Sequence, residues 1–117
     1  MARLLSTSYD DALLRTRAWL LEREGYEVVS ALGFQEAREA CDTPGFDIFI
    51  LGHSIPKRDK LELIACFRNS NPDGFIIALT RANEPRLREV DAYVNPGVPE
   101  DLVRLVSATL RGMRRVK

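Results

Sequence analysis

Pro44-Gly45-Phe46-Asp47-Ile48-Phe49-Ile50-Leu51-Gly52 is the stretch on which the fold turns. A Pro-Gly break leads into Phe46–Leu51, a segment of strand length ending in four consecutive apolar residues. A strand with apolar side chains on both faces is covered on both faces, which places it in the middle of a parallel sheet. Phe75–Thr80 repeats the pattern after the turn residues Asn71-Pro72-Asp73-Gly74. Between the two, Gly52–Lys60 reads as a loop, and Leu61, Ile64, Ala65 and Arg68 then keep helical spacing to Asn69.

Working outward, Ala2–Thr7 reads as a first strand. Asp10 or Asp11 can cap the helix that follows, since a carboxylate accepts from free N–H groups at a helix start. In that helix Leu14, Ala18 and Leu21 form an apolar stripe, while Arg15, Arg17, Glu22 and Arg23 fill the other side. Trp19 reads as a packing residue at the edge of the core. Gly25 ends the helix, Tyr26–Ala31 is a second strand, and Gly33–Cys41 a second, weaker helix. Toward the C-terminus, Ala92–Asn95 is a short last strand. Leu102, Leu105, Val106, Thr109, Leu110 and Met113 trace the stripe of a last helix.

Strands thus alternate with helices along 117 residues, without repeats or linkers, so residues 1–117 read as one domain with no separate output domain. Parallel strands need right-handed crossovers, and the crossovers cover both faces of the sheet. The expected architecture is α/β: a doubly wound, five-stranded parallel sheet of flavodoxin type, order 2-1-3-4-5.

Composition narrows the function. Seventeen basic and seventeen acidic residues cancel, which argues against nucleic acid as the primary partner. The basic run Lys57-Arg58-Asp59-Lys60 and the tail Arg111, Arg114, Arg115 and Lys117 read as solvated surface. No apolar run approaches the ~20 residues that span a bilayer, so no membrane partner and a cytoplasmic location are expected. Two cysteines, Cys41 and Cys66, with one histidine cannot complete a tetrahedral metal shell, and both read as buried, inert thiols. His53 stands beside Ser54, but the chain offers no motif with a carboxylate to orient it. It reads as a loop or edge histidine.

Ala2-Arg3-Leu4-Leu5, the run Leu-Leu-Glu-Arg-Glu-Gly-Tyr-Glu-Val-Val at 20–29, and Asp47–Leu51 together resemble response-regulator receiver domains of the CheY-like kind. Pro56 four residues after Gly52, the strand end Leu79-Thr80, and Tyr93-Val94-Asn95-Pro96 extend that resemblance over the whole chain. The resemblance implies two-component (phosphorelay) signalling, in which an aspartate after strand 3 accepts a phosphoryl group from a histidine kinase. It also implies two acids after strand 1 that hold magnesium, a Ser/Thr after strand 4, and a lysine before the proline after strand 5. Here Gly52 stands at the phosphoacceptor position, Ser8 and Tyr9 at the acidic pair, and Asn95 at the lysine; only Thr80 matches. Arg81 replaces the small residue usual after the Thr, and Thr80 and Tyr93 correspond to the family's switch pair.

The expectation is therefore a degenerate pseudo-receiver: not an enzyme, without metal or cofactor, acting by phosphorylation-independent contact with a protein. That partner is a kinase, an output protein or a second copy. The contact surfaces expected are the first helix with the loop after strand 3, or the face of strand 5 and the last helix, which would also serve a homodimer. The alternative is a small-anion or small-ligand domain using Thr80, Arg81, Asn95 and loop N–H groups beside Gly52. Only fourteen residues, 81–94, lie between Thr80 and Asn95, about two helical turns fewer than the resemblance implies. The family's fourth helix is expected to be a stub or a loop, with Pro85 tolerated only near a helix start.

Overall fold

The computed structural model describes residues 2–81, 84 and 86–116. In chain order the elements are β1 (Arg3–Ser8), α1 (Asp11–Glu22), β2 (Glu27–Leu32), α2 (Gly33–Cys41) and β3 (Ile48–Leu51). There follow α3 (Lys57–Ser70), β4 (Phe75–Leu79), β5 (Ala92–Val94) and α4 (Pro99–Val116). All strand pairs are parallel, in the order β2-β1-β3-β4-β5, as the alternation of patterns predicts.

Period-2 alternation sorts the strand residues onto two faces. Leu5, Phe49, Leu51, Ile76 and Ala78 point toward α2 and α3, where they pack with Ala37, Cys41, Leu63, Ile64 and Phe67. Leu4, Ile48, Ile50, Ile77 and Leu79 point the other way, onto Leu21 of α1 and Leu102 and Val106 of α4. Every residue of β3 is buried, which is what its unbroken apolar sequence requires.

One local reading changes. α3 begins at Lys57, so the run 57–60 is its first turn and not a loop. Pro56 precedes it at φ −62°, the angle its ring imposes, and Asp59 supplies the acid that favours a helix start. Between β4 and β5 the described residues form turns and loop, the second of the two forms expected for the shortened fourth helix; Pro85 lies outside the described residues. The short crossover is tied down from α3 instead. Arg68 donates to Asp91 Oδ2 at 2.7 Å and to the carbonyls of Gly74 and Glu89, while Asp91 Oδ2 also accepts the Ile76 N–H at 2.7 Å.

Candidate functional site

In a sheet of this kind the loops at the carboxyl ends of the strands converge where the winding reverses, between β1 and β3. Ser8, Tyr9, Gly52, Thr80 and Asn95 all follow or end strands at that edge. The two sides of the edge differ in what they present.

On the β1–β3 side the backbone itself fills the corner. The Gly52 N–H donates to the Thr7 carbonyl at 3.1 Å, and Gly52 is buried. A Cβ built at position 52 would stand 2.8 Å from that carbonyl oxygen and 3.2 Å from Ser8 Cα. Backbone cannot swing aside as a side-chain tip can, so the site excludes even an alanine without local movement. Ser8 is buried and spends its hydroxyl on the turn into α1, where its Oγ accepts the Asp10 N–H at 3.0 Å. Asp10 caps α1 as expected, its carboxylate accepting the Leu13 N–H at 3.1 Å.

Tyr9 closes the loop from above. Its hydroxyl donates to Asp59 Oδ2 at 2.6 Å, across 50 residues of sequence, and its N–H donates to Ser54 Oγ at 3.3 Å. Burial raises the Tyr9 phenol above its ordinary value, and the hydrogen bond and negative charge of Asp59 act in the same direction. The ring packs against the core on the α2–α3 side of the sheet. Nothing in the sequence pairs Tyr9 with Asp59, because the contact depends on where α3 starts.

On the β4–β5 side, Thr80 Oγ1 donates to Glu84 Oε2 at 2.8 Å. That hydrogen bond pulls the Glu84 carboxyl below the ordinary carboxylate range against a desolvating push, with help from the charges of Lys60 and Arg81. Lys60 is buried and reaches Glu84 at 3.9 Å. Glu84 is the residue that the sequence reading missed, although its spacing of four from Thr80 was a usable signal. Arg81 is exposed, and among the described residues it pairs with neither Asp10 nor Asp11. Asn95 is exposed and turns its Oδ1 back to accept the Gly97 N–H at 2.8 Å. Thr80, Arg81, Glu84, Arg86, Tyr93 and Asn95 line one shallow cleft, so the three proposed anion contacts do converge, with a carboxylate among them.

Tyr93 is half-buried and held. Its hydroxyl donates to the Leu87 carbonyl at 2.7 Å and accepts the Leu87 N–H, while Arg86 stacks 4.9 Å from the ring centroid. Three further side chains depart from expectation. Trp19 is 59% exposed, with Arg23 stacked on its ring, so it is a surface residue and not a core-edge one. Cys41 is fully buried, but Cys66 is partly exposed and takes the Arg38 guanidinium at 2.8 Å on its Sγ. Arg17, read as part of the polar side of α1, is 7% exposed and donates from Nη1 to Ser6 Oγ at 3.0 Å and the Thr7 carbonyl at 2.9 Å.

Comparison with known proteins agrees with this architecture. No family model matches the chain. A response regulator receiver domain protein (CheY-like) from Methanospirillum hungatei superposes with a TM-score of 0.83, covering 100% of this chain and 99% of that one at 24% identity. The fold is that of a response-regulator receiver domain. The receiver TrrA from Thermotoga maritima, solved in complex with Mg(2+)-BeF, gives 0.78 at 25% identity, over 93% of this chain and 99% of its own. TrrA in complex with the histidine kinase ThkA gives 0.76 at 26% identity, over 94% of this chain and 99% of that chain. In sequence, the chain is 26% identical over 116 residues to the alkaline phosphatase synthesis transcriptional regulatory protein PhoP of Bacillus subtilis. That match covers 93% of this chain and 48% of PhoP, so the receiver-fold chain spans about half the length of this curated relative. Among the described residues, no helix is long and apolar enough to cross a membrane.

Proposed function

We propose that this receiver-fold chain is a signalling module that works without phosphoryl transfer, through contact with a protein partner. The observation that carries the proposal is the crowding at Gly52. Phosphoryl transfer depends on a positioned acceptor and on charge neutralisation around it. At the end of β3 there is neither a side chain to accept the group nor 3 Å of clearance for one beneath the Thr7 carbonyl. Ser8 and Tyr9 supply no carboxylate to a hard divalent cation, and both hydroxyls are engaged in hydrogen bonds of their own.

The surface that best suits a partner is α1, where Leu13 and Trp19 are 41% and 59% exposed. Large exposed aromatics are the residues from which interfaces draw most of their energy. The kinase-bound TrrA makes a histidine kinase, or a protein that competes for one, the first class of partner to test. The small-anion reading has less support, because Glu84 already occupies the Thr80 hydroxyl in the cleft where an anion would sit.

The test has two arms. Incubation with acetyl phosphate and Mg2+ is expected to leave the intact mass unchanged, and a stable gain of one phosphoryl group on an aspartate would overturn the proposal. Affinity capture with the wild-type chain and with Trp19→Ala is expected to return a kinase or output protein that the variant loses. Equal capture by both would remove α1 as the contact surface.

A further inference from the structure

A cleft of about 80 Å3 lies between α1 and α4 at the carboxyl edge of the sheet, sharing Asn95 with the Thr80 cleft. Its walls are mostly apolar and include Leu20, Leu21, Leu79 and Leu102. Arg17 forms part of its lining, with Thr16, His53 and Asn95 as the other polar groups. A guanidinium inside an apolar wall needs an explanation, since a buried charge costs several kcal/mol unless it is paired.

The pairing is incomplete in a specific way. Nη1 is satisfied by Ser6 and Thr7, as described above, but both of those acceptors are neutral. Among the described residues, no ion pair includes Arg17, and Nε and Nη2 make no hydrogen bond to protein. No fully buried side-chain nitrogen or oxygen is left without a partner, so these two nitrogens keep contact with solvent, through the cleft that Arg17 lines. Nε and Nη2 form the adjacent pair of donors that meets a carboxylate side-on with two parallel hydrogen bonds. Burial alone lowers the Arg17 pKa to about 10, which leaves the side chain charged at neutral pH. The result is a cation anchored at one nitrogen, in a residue that lines an apolar cleft, with its two-donor edge without a protein partner among the described residues.

We propose that this cleft binds a small monocarboxylate with a short aliphatic tail, the carboxylate on the Nε/Nη2 edge of Arg17 and the tail against Leu21, Leu79 and Leu102. Size sets the tail. An apolar cavity of about 150 Å3 admits benzene, so the cleft takes a chain of about three or four carbons. Inorganic phosphate fits poorly, because it is strongly hydrated and has no apolar part to cover the leucines. Leu13 borders both this cleft and the partner surface of α1, but carboxylate binding is read on the free chain and without phosphoryl chemistry, so its failure and the failure of the reading above are separate events.

Butyrate is the probe, with 1-butanol and inorganic phosphate as controls, followed by amide chemical-shift perturbation on the full chain. Butyrate is expected to saturate with shifts centred on α1, Leu79 and the start of α4, and to bind at least about tenfold more tightly than either control. Arg17→Met, which keeps the bulk of the side chain, is expected to abolish the advantage over butanol, and Arg17→Lys to retain part of it. Thr16→Trp, placed on the exposed rim, is expected to block butyrate without touching the guanidinium. Equal binding of butyrate and butanol, shifts elsewhere on the molecule, or butyrate affinity unchanged in Arg17→Met would each overturn the proposal. So would the absence of saturation by butyrate in a wild-type chain shown to be folded.

Discussion

Gly52 and Thr7 meet backbone to backbone: the N–H of one donates to the carbonyl of the other at 3.1 Å, and a Cβ at 52 would stand 2.8 Å from that oxygen. A side chain at position 52 would therefore start against the main chain of β1. Gly52→Ala is expected to destabilise the fold by about 1–3 kcal/mol, the usual cost of overpacking a tight site. Gly52→Asp is expected to cost at least as much and to gain no acyl phosphate. Urea unfolding midpoints and intact mass after acetyl phosphate treatment check both.

Tyr9→Phe removes the hydroxyl and leaves Asp59 without its 2.6 Å donor. Hydrogen bonds to a charged group are worth about 1.5–3 kcal/mol, and Asp59 is only partly buried, so a loss toward the lower end is expected. The double variant with Asp59→Asn should lose less than the sum of the singles, since the two groups act on each other. Chemical denaturation of the four proteins in the cycle measures the coupling.

Glu84 gives an acid dependence of definite sign. Its carboxyl titrates below the ordinary range in the folded chain, chiefly because Thr80 donates to the ionised form. A depressed folded-state value contributes stability above the ordinary carboxylate pKa, and that contribution is lost as pH falls through the lowered value. Glu84→Gln is expected to flatten this part of the acid limb by losing stability at neutral pH and not at strongly acidic pH, the loss being small because the carboxylate lies near solvent. Thermal unfolding of both proteins from neutral pH down to strongly acidic pH reads it out.

The two thiols are expected to separate. Burial pushes Cys41 up to about 12, so the native chain presents no thiolate there near neutral pH. Cys66 is also raised, again chiefly by burial with Arg38 opposing, but it is partly exposed. A disulfide reagent at pH 8 should label one thiol slowly in the native chain and both in denaturant. Rapid native labelling of Cys41 would contradict its placement between α2 and the sheet.

The sheet order was legible because periodicity and turn chemistry act locally: the apolar runs at 48–51 and 75–79 can be satisfied only by burial on both faces. The site was legible in its positions but not in its contacts. Arg17 lies three residues after Leu14 and four before Leu21, on the buried stripe of α1. Its charge made it read as surface, although spacing alone places it inside. Trp19 erred the other way, its size suggesting burial while its phase on the helix faces solvent. Tyr9 with Asp59, and Lys60 with Glu84, join segments whose relative placement only the folded sheet defines.

The Arg68–Asp91 clamp has a consequence for how this chain tolerates change. Because α3 fastens the residues immediately ahead of β5, the edge strand has an anchor that lies outside the preceding segment. Residues 84, 86 and 87 are held separately, through Thr80 and Tyr93, so the crossover carries two independent sets of fastenings. With that arginine lying outside the loop itself, substitutions within the loop leave one anchor of the edge strand in place.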